Sequence, residues 1–500
     1  MSVILGIDLG TSSIKGLLLD SGAASPGVIA VAARAHELSI RRTGWAEQDP
    51  NVWWQLTREL LGQLKEEQPV AFAEIGAIGF SGQMHGLVAL DRKNRPLRPA
   101  ILWLDQRAAG EVNEIADLIN ENGWAPSIQN RVSMGFALPS LLWLKKFEPS
   151  VFAEIAQILL PKDFLRMKMT GSVATDYSDA SATGAFSVAD HDWAWPLIRS
   201  LGLPEALFPR CSPSQEIAGY VTRECAGETG LKEGIPLVFG AGDQMAQSIG
   251  NGVVSEGLLI ANIGTGGQIA AYSAGDVFDP ELRTHTFCHG INRAYTVYGA
   301  TLCSGMSLHW LKNKVLRQDS YPELDRAASE APSGSGGLIY LPYLSGERTP
   351  HMNSRARGVF FGLQLDQDYR FLIRAVMEGV AFSLKDSICI LEGLGIRAGR
   401  IIASGGGAKS PLWLQIQADI FEKEIQVSET EEQACLGACV LAGLGTGIFK
   451  NLEEPCGRFV KFKPLIYTPD DKNSALYRKA YILYKEIYQN TRSLMERFSE

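Results

Sequence analysis

The sequence predicts an α/β protein with two related halves that face a shared cleft. The chain opens with an apolar strand, a turn of small polar residues and a second apolar strand over residues 3–20. The same order of strand, small-residue turn and strand returns at residues 258–272. Helical periodicity alternates with short apolar runs between and after these two hairpins. A repeat at roughly half the chain length predicts two homologous domains, each with its own sheet.

Length and composition narrow the class of protein. A chain of 500 residues is too long for one compact core, and its mean hydropathy of -0.01 is typical of a globular protein. A net charge of -8 without clustered Lys and Arg argues against nucleic-acid binding. Neither a signal peptide nor a membrane-spanning run is apparent, so no membrane partner and a cytoplasmic location are expected. The eight cysteines form no Cys-x-x-Cys pair and are expected to be reduced.

The turn of the first hairpin has the composition of a phosphate-binding loop. Thr11, Ser12 and Ser13 offer backbone N–H groups and hydroxyls to phosphate oxygens. Asp8 ends the first strand, where its carboxylate could hold a divalent cation beside that phosphate. Lys15 is either a countercharge for the phosphate or a solvated strand residue. On residue types alone, an ordinary hairpin with a polar tip is an equal alternative.

Periodicity and punctuation place the later elements. Asp49-Pro50 predicts a helix start, and apolar spacing continues the helix to Glu67. Strands are predicted over residues 75–80, 87–90, 235–240 and 400–403, with a helix near Ala108 and a long one over residues 369–394. A terminal amphipathic helix over residues 475–498 is expected to pack through one apolar stripe. That stripe comprises Leu476, Ala480, Leu483, Ile487 and Leu494.

The second hairpin differs from the first in one informative position. Thr265 stands where Thr11 stands, but Asn262 replaces Asp8. Only the first half therefore offers a carboxylate for a metal. Two small-residue turns at one cleft would grip a single polyphosphate from both sides, which would couple its binding to domain closure.

Several stretches together resemble the FGGY family of sugar kinases, in the actin-like ATPase superfamily. They are Gly6-Ile-Asp-Leu-Gly-Thr-Ser, the Gly-Thr turn at 264–265, Gly405-Gly-Gly-Ala408, and residues 45–50, 82–86, 161–165 and 341–351. Residues 136–143 and 358–379 resemble the two family signatures, except that Ser140 replaces a usual Lys and Phe371 a usual polar residue. The resemblance implies two actin-like (ribonuclease H-like) domains at residues 1–247 and 248–448, with a C-terminal helical segment at 449–500.

The resemblance also implies an activity. It is ATP-dependent phosphorylation of a ketopentose, with D-xylulose the expected sugar, Mg²⁺ the expected cofactor, and a homodimer as in other family members. Ribulose, L-xylulose or gluconate are alternative substrates, and Gln244, where some relatives have Asn, bears on that choice. A non-metabolic actin-like ATPase and a sugar-responsive binding protein are rivals of other classes. Retention of both Asp8 and Asp243 argues against the binding protein.

Residue roles follow from the same resemblance. Asp243 is the expected general base, although a helix N-cap is the commoner role for such an Asp. Asp8 is the expected Mg²⁺ organiser, through water. Met84, His85, Gln244 and Trp103 are expected beside the sugar, and Asp105 could help wall the pocket. The expected phosphate and nucleotide contacts are Thr11, Ser12, Ser13, Gly264, Thr265, Gly266, Gly305, Gly406, Gly407 and Ala408.

Overall fold

The computed structural model describes residues 3–22 and 27–498, which form two seven-stranded sheets with helices around them. The first sheet has the order β5-β6-β4-β1-β2-β3, with β7 paired to β4. Its strands are β1 (Val3–Leu9), β2 (Ser13–Asp20), β3 (Gly27–Ala35), β4 (Ile75–Gly82), β5 (Ile217–Tyr220), β6 (Pro236–Val238) and β7 (Ala241–Gly242).

The second sheet has the order β10-β11-β9-β8-β12-β13-β14. Its strands are β8 (Gly257–Ile263), β9 (Gly267–Ser273), β10 (His285–Cys288), β11 (Tyr295–Thr301), β12 (Ala398–Gly405), β13 (Glu424–Ser428) and β14 (Phe462–Tyr467). Two-stranded ribbons pair Glu47–Gln48 with Ala100–Ile101, Val88–Leu90 with Gln157–Leu159, Ala174–Asp176 with Arg210–Ser212, Phe186–Ser187 with Asp192–Trp193, and Ile339–Leu341 with Val359–Phe361.

Helices of different lengths surround the two sheets. The longer ones are α1 (Pro50–Glu67), α2 (Ala109–Asn122), α3 (Ala137–Phe147), α4 (Pro161–Thr170), α5 (Asp243–Gly250), α6 (Tyr321–Glu330), α7 (Tyr369–Gly393), α8 (Pro411–Phe421), α9 (Gln433–Gly445) and α10 (Asp471–Phe498). Shorter helices span Pro69–Ala73, Ala125–Ile128, Pro149–Glu154, Tyr177–Ala180, Trp195–Ser200, Arg223–Thr229, Gly305–Trp310 and Glu453–Phe459. No helix in the part of the chain that the structure describes could cross a membrane.

The strand register confirms the internal repeat. In the first half β1 pairs with β2 antiparallel and with β4 parallel, and Asp8 stands opposite Ser81. In the second half β8 pairs with β9 and β12 in the same way, and Asn262 stands opposite Ser404. Each sheet therefore brings a small-residue turn and a Ser-Gly strand end to the same edge. The predicted α/β architecture with two related sheets is confirmed.

Local sequence explains the first long helix. The side chain of Asp49 accepts a hydrogen bond from the backbone N–H of Asn51, and Pro50 opens α1. Trp53, Leu60 and Leu64 are fully buried on the face turned to the first sheet. The helix therefore begins and packs as the apolar period predicts.

Helix α9 comes from the second half of the chain but packs on the first sheet. A Cβ on Gly79 of β4 would overlap the carbonyl oxygen of Ala438, and a Cβ on Gly437 would overlap that of Ala246 in α5. Bare backbone therefore lets α9 approach both β4 and α5 closely. Cys435 and Cys439 are buried in this contact.

The predicted apolar stripe of α10 is wrong. Leu483 and Leu494 are 52% and 56% exposed. The buried face instead carries Tyr477, Tyr484 and Tyr488; of the predicted stripe, Ile487 is buried and Ala480 packs partly against the second core. Tyrosine rings bury more area than leucine, and the Tyr477 and Tyr484 hydroxyls donate to or share hydrogen bonds with buried partners. The C-terminal segment is also not helical throughout, because β14 forms the edge of the second sheet.

Candidate active site

Strand ends of the first sheet bring two carboxyl groups to one cavity. Ser81, at the end of β4, donates its hydroxyl hydrogen bond to Asp8 Oδ1 at 2.7 Å. Strand β7 pairs with the same end of β4, so Asp243, the next residue, begins α5 beside it. Asp8 and Asp243 both line a cavity of about 150 Å³. The cavity also contacts Lys15, Gln244, Gln247, Glu431, Glu432, Gln433 and Ala434.

The surroundings of Asp243 suit proton acceptance near neutral pH. Its side chain is half-buried, and burial with the nearby charge of Asp8 raises its pKa to about 7, against hydrogen bonds from Gln244. Burial also raises the pKa of Asp8 above its ordinary value. A carboxyl with a pKa near 7 can accept a proton and release it within the physiological range.

Lys15 is neither a free countercharge nor a solvated residue. Its Nζ lies 2.7 Å from Glu432 Oε2, just before α9. Burial is the largest single effect and disfavours the ammonium, but the hydrogen bond and charge of Glu432, together with the charge of Asp8, outweigh it and raise the pKa of Lys15. Lys15 therefore joins the first hairpin to the segment before α9. Sequence reasoning missed Glu432, because an acidic loop residue in the other half gives no local signal.

The segment that follows β4 presents a neutral imidazole. His85 has φ of 73°, and its ring stacks on Phe136 at a centroid distance of 4.2 Å. Burial is the main reason that the pKa of His85 falls to about 4. Its Nδ1 lies 2.6 Å from the Ala182 carbonyl oxygen, so Nδ1 carries the proton and Nε2 is left as an acceptor. This tautomer is assigned from the hydrogen bond.

Met84 supports the segment that carries Asp243. Met84 is buried, and a Cβ on Gly242 would lie 2.6 Å from Met84 Cγ. Only glycine at position 242 therefore lets β7 pass over the methionine. This contact places Met84 against the backbone immediately before Asp243.

Trp103 and Asp105 have different environments although they are two residues apart. Trp103 Nε1 donates to Thr11 Oγ1 at 3.0 Å, which places the indole against the first turn. Both oxygens of Asp105 are used inside the protein, by the Ala46 N–H and by the Arg107 guanidinium. The Asp105 carboxylate therefore anchors the Arg107 side chain, and its expected place in the wall of a sugar pocket stays a prediction.

The turn at Thr11 has a partner that sequence reasoning missed. Gln48 Nε2 donates to the Thr11 carbonyl oxygen at 2.8 Å, and Gln48 Oε1 accepts from Trp53 and Gln83. Gln48 lies within residues 45–50, a stretch that the sequence singled out without assigning it a role. The amide therefore holds the first turn in place, while Ser12 is exposed and Ser13 half-buried.

The second sheet assembles a matching set of backbone groups. Gly305 N–H donates to the Gly264 carbonyl oxygen at 3.0 Å, and a Cβ on Gly305 would overlap that oxygen. A Cβ on Gly407 would lie 2.7 Å from Ile263 Cβ. Gly406 is exposed, and Ala408 packs partly against the second core. The Gly264–Gly266 turn, Gly305 and the segment after β12 therefore lie together at one edge.

The two departures from the family signatures are both accommodated. Ser140 is buried in α3, and Phe371 packs partly against the second core. Nothing in the structure assigns either residue to the cavity between Asp8 and Asp243. Both residues contribute to packing.

The donor set at this cavity is sparse. No cluster of three or more His, Cys, Asp or Glu side chains that could hold a metal ion occurs in residues 3–22 and 27–498. The cavity is lined by the carboxyl groups of Asp8, Asp243, Glu431 and Glu432, of which Asp8 accepts a hydrogen bond from Ser81 and Glu432 pairs with Lys15. This set fits Mg²⁺, which retains water and takes its remaining ligands from phosphates.

Comparison with known proteins gives concordant results. The N-terminal domain model of the FGGY family of carbohydrate kinases matches residues 3–250, and the C-terminal domain model matches residues 259–446. A xylulose kinase from Bacillus subtilis (strain 168) is 36% identical over 494 residues, covering 99% of this chain and 98% of that protein. A crystal structure of a xyloylose kinase from Brucella ovis has a TM-score of 0.92 at 33% identity, covering 98% and 100% of the two chains.

A third relative has the same fold under a different name. The crystal structure of a gluconate kinase from Lactobacillus acidophilus has a TM-score of 0.91 at 26% identity and covers 99% of both chains. Two family-model matches and full-length identity above 30% agree with the paired sheets and the aligned strand ends. The chain therefore belongs to the FGGY family of carbohydrate kinases.

Proposed function

We propose that this kinase transfers the terminal phosphoryl group of ATP to D-xylulose and forms D-xylulose 5-phosphate. The observation that carries the proposal is the position of Asp243 beside Asp8 at aligned strand ends, with a pKa raised to about 7. The 36% identity to a xylulose kinase over 99% of the chain supports this choice of sugar.

In this proposal Asp243 accepts the proton of the sugar hydroxyl as its oxygen attacks phosphorus. Backbone N–H groups and hydroxyls of residues 11–13 and 264–266 bind the phosphates from the two halves. Asp8 holds Mg²⁺ through water, and the ion supplies neutralisation of phosphate charge. His85 Nε2 accepts a hydrogen bond from a sugar hydroxyl, while Met84, Gln244 and Trp103 shape the pocket around the sugar.

The proposed division of labour follows the two sheets. Residues 1–247 carry the sugar and metal side, and residues 248–448 carry the nucleotide side at Gly305, Gly406, Gly407 and Ala408. The first proposed boundary falls within α5, which lies between β7 and β8. Helix α9, which packs on the first sheet, would transmit relative motion of the halves to the segment containing Glu432.

The choice of sugar is tested with a substrate panel. We expect kcat/KM for D-xylulose to exceed that for D-ribulose, L-xylulose, gluconate and xylitol by at least about tenfold, because a pocket that pairs sugar oxygens rejects mispaired isomers. ADP formation measures turnover, with the Asp243→Asn enzyme as the background control. A higher kcat/KM for any other sugar would contradict the proposed substrate.

The raised pKa of Asp243 predicts an acidic limb in the rate profile. Asp243 acts as a base only without its proton, so kcat/KM should rise about tenfold per pH unit below about 7 and level off above it. The Asp8→Asn variant removes a negative charge that raises this pKa, so its limb should move to lower pH. Asp117→Asn, an exposed change in α2, is the control. If the acidic limb of Asp8→Asn lies at the same pH as that of the wild type, the charge of Asp8 does not raise the pKa of Asp243.

A further inference from the structure

We propose that Arg348, from the second half of the chain, completes the sugar pocket and donates hydrogen bonds to the ketose oxygens remote from the phosphorylated hydroxyl. The inference deepens the proposed function and rests on it. It also gives a role to residues 341–351, a motif that the site has not yet used.

The backbone around Arg348 is held on both sides. Glu347 Oε1 accepts hydrogen bonds from the N–H groups of Arg348 and Leu302, each at 2.8 Å. Thr349 N–H donates to the Ala300 carbonyl oxygen at 3.0 Å, and Thr349 Oγ1 accepts from Ala300 N–H at 3.2 Å. Position 348 is therefore tied to the end of β11.

Strand β11, to which the Arg348 segment is tied, also contributes to an aromatic cluster shared by both halves. Tyr298 in β11 stands opposite His285 in β10, and their rings stack with centroids 5.3 Å apart. Phe287 packs on His285 at 5.4 Å and lies 6.1 Å from the ring of His85. The second half thus supplies the wall that faces His85.

Electrostatic effects locate the guanidinium relative to this cluster. Burial is the main cause of the lowered pKa values of His85 and His285, and the positive charge of Arg348 lowers them further. The same charge lowers the pKa of Tyr298, which burial raises. The charge of Asp243 also acts on Tyr298, whereas the pKa of Asp243 responds to burial, Asp8 and Gln244. The charges of Arg348 and Asp243 therefore both act on Tyr298.

The Arg348 side chain is half-buried without an internal acceptor. Among the residues described, no carboxylate or carbonyl accepts a hydrogen bond or ion pair from its guanidinium. Arg107 and Arg374, by contrast, bind Asp105 and Glu378. None of its nitrogens is among the buried polar atoms without a partner in the described residues, so these donors reach solvent and are available to the acceptor oxygens of a bound molecule.

A ketose has the complementary chemistry. Arginine only donates, through a planar fork that matches two neighbouring oxygens, such as the C2 carbonyl and the C1 hydroxyl. His85 Nε2 only accepts and suits a hydroxyl proton. A sugar held between Arg348 and His85 would contact both halves, which links recognition of the ketose to closure.

The test compares D-xylulose with D-arabinitol, the polyol that has a hydroxyl in place of the C2 carbonyl. We expect Arg348→Met to raise KM for D-xylulose about 30-fold, since a lost charged hydrogen bond is typically worth that much, with kcat within about threefold. The kcat/KM for D-arabinitol should fall less than tenfold, KM for ATP should not change, and Arg348→Lys should recover part of the D-xylulose affinity. Arg293→Met, an exposed change between β10 and β11, is the matched control.

Calorimetric titration of D-xylulose without nucleotide separates binding from turnover. A dissociation constant that rises with KM in Arg348→Met supports the proposal. An unchanged KM for the sugar would overturn the proposal. So would a defect limited to a lower kcat and a higher KM for ATP, because Arg348 would then act elsewhere. If the wild-type enzyme does not phosphorylate D-xylulose, the proposed function fails. If the wild type phosphorylates it and Arg348→Met matches the wild type, only the role of Arg348 fails.

Discussion

Replacing Asp243 with Asn is expected to lower kcat about 10³-fold while leaving nucleotide binding nearly unchanged. The amide keeps the shape of the side chain but cannot accept the hydroxyl proton, and general-base catalysis typically contributes on the order of 10²–10⁴-fold. Asp243 stands at the start of α5, outside the Gly264–Gly266 turn and the segment after β12 that are proposed to hold the nucleotide. Loss of the base should therefore affect the chemical step alone.

The measurement is single-turnover formation of sugar phosphate together with ADP binding by calorimetry. Asp117→Asn in α2 should match the wild type in both measurements. Turnover within about tenfold of the wild type in Asp243→Asn would refute the role of Asp243 as base. If Asp243→Asn loses ADP affinity as well as turnover, the substitution disturbs the fold of the site.

Replacing Lys162 with Met is expected to destabilise the protein by about 3–5 kcal/mol, because removing one partner of a buried ion network leaves uncompensated charge. Lys162 is fully buried in α4, with Nζ 2.8 Å from Asp163 and 2.6 Å from Asp176. Asp179, at 3.3 Å, is also fully buried. Burial raises the pKa of Asp179 well above its ordinary value, and the charges of Asp163 and Asp176 add to this against the opposing effect of Lys162.

Hydrogen bonds connect this network to the backbone beside Asp243. Asp176 accepts hydrogen bonds from Ser214 and from Ser178, and the Ser178 hydroxyl accepts from Gly242 N–H at 3.1 Å. Residues destabilised by the Lys162 change thus hold the backbone immediately before Asp243. Activity should fall at temperatures where the Lys162→Met protein is still folded.

Urea denaturation measures the effect on the free energy of unfolding. Lys168→Met, on the exposed side of the same helix, is the matched control and should change the free energy by less than about 0.5 kcal/mol. Equal urea midpoints for Lys162→Met and Lys168→Met would contradict the prediction, because removing Lys162 from the buried ion network would then cost no stability.

Much of the architecture followed from local patterns. The hairpin turns, the capped start of α1 and the repeat of β1 with β8 are all confirmed, because strand and helix periods and turn residues act over a few neighbouring positions. The stripe of α10 was predicted wrongly, since a helix with apolar residues on several sides does not reveal which face its partner covers. Only the packed core selects Tyr477 and Tyr484 over Leu483 and Leu494.

The site divides in the same way. The sequence by itself determined the small-residue turns, Asp8, and Asp243 in a glycine-flanked strand end, because those residues are adjacent in the chain to the elements that present them. Tertiary structure alone decided that Asp8 and Asp243 share one cavity, that Lys15 pairs with Glu432, and that Phe287 of the second half lies beside His85. Those contacts join residues hundreds of positions apart, and no local spacing encodes the distance between them.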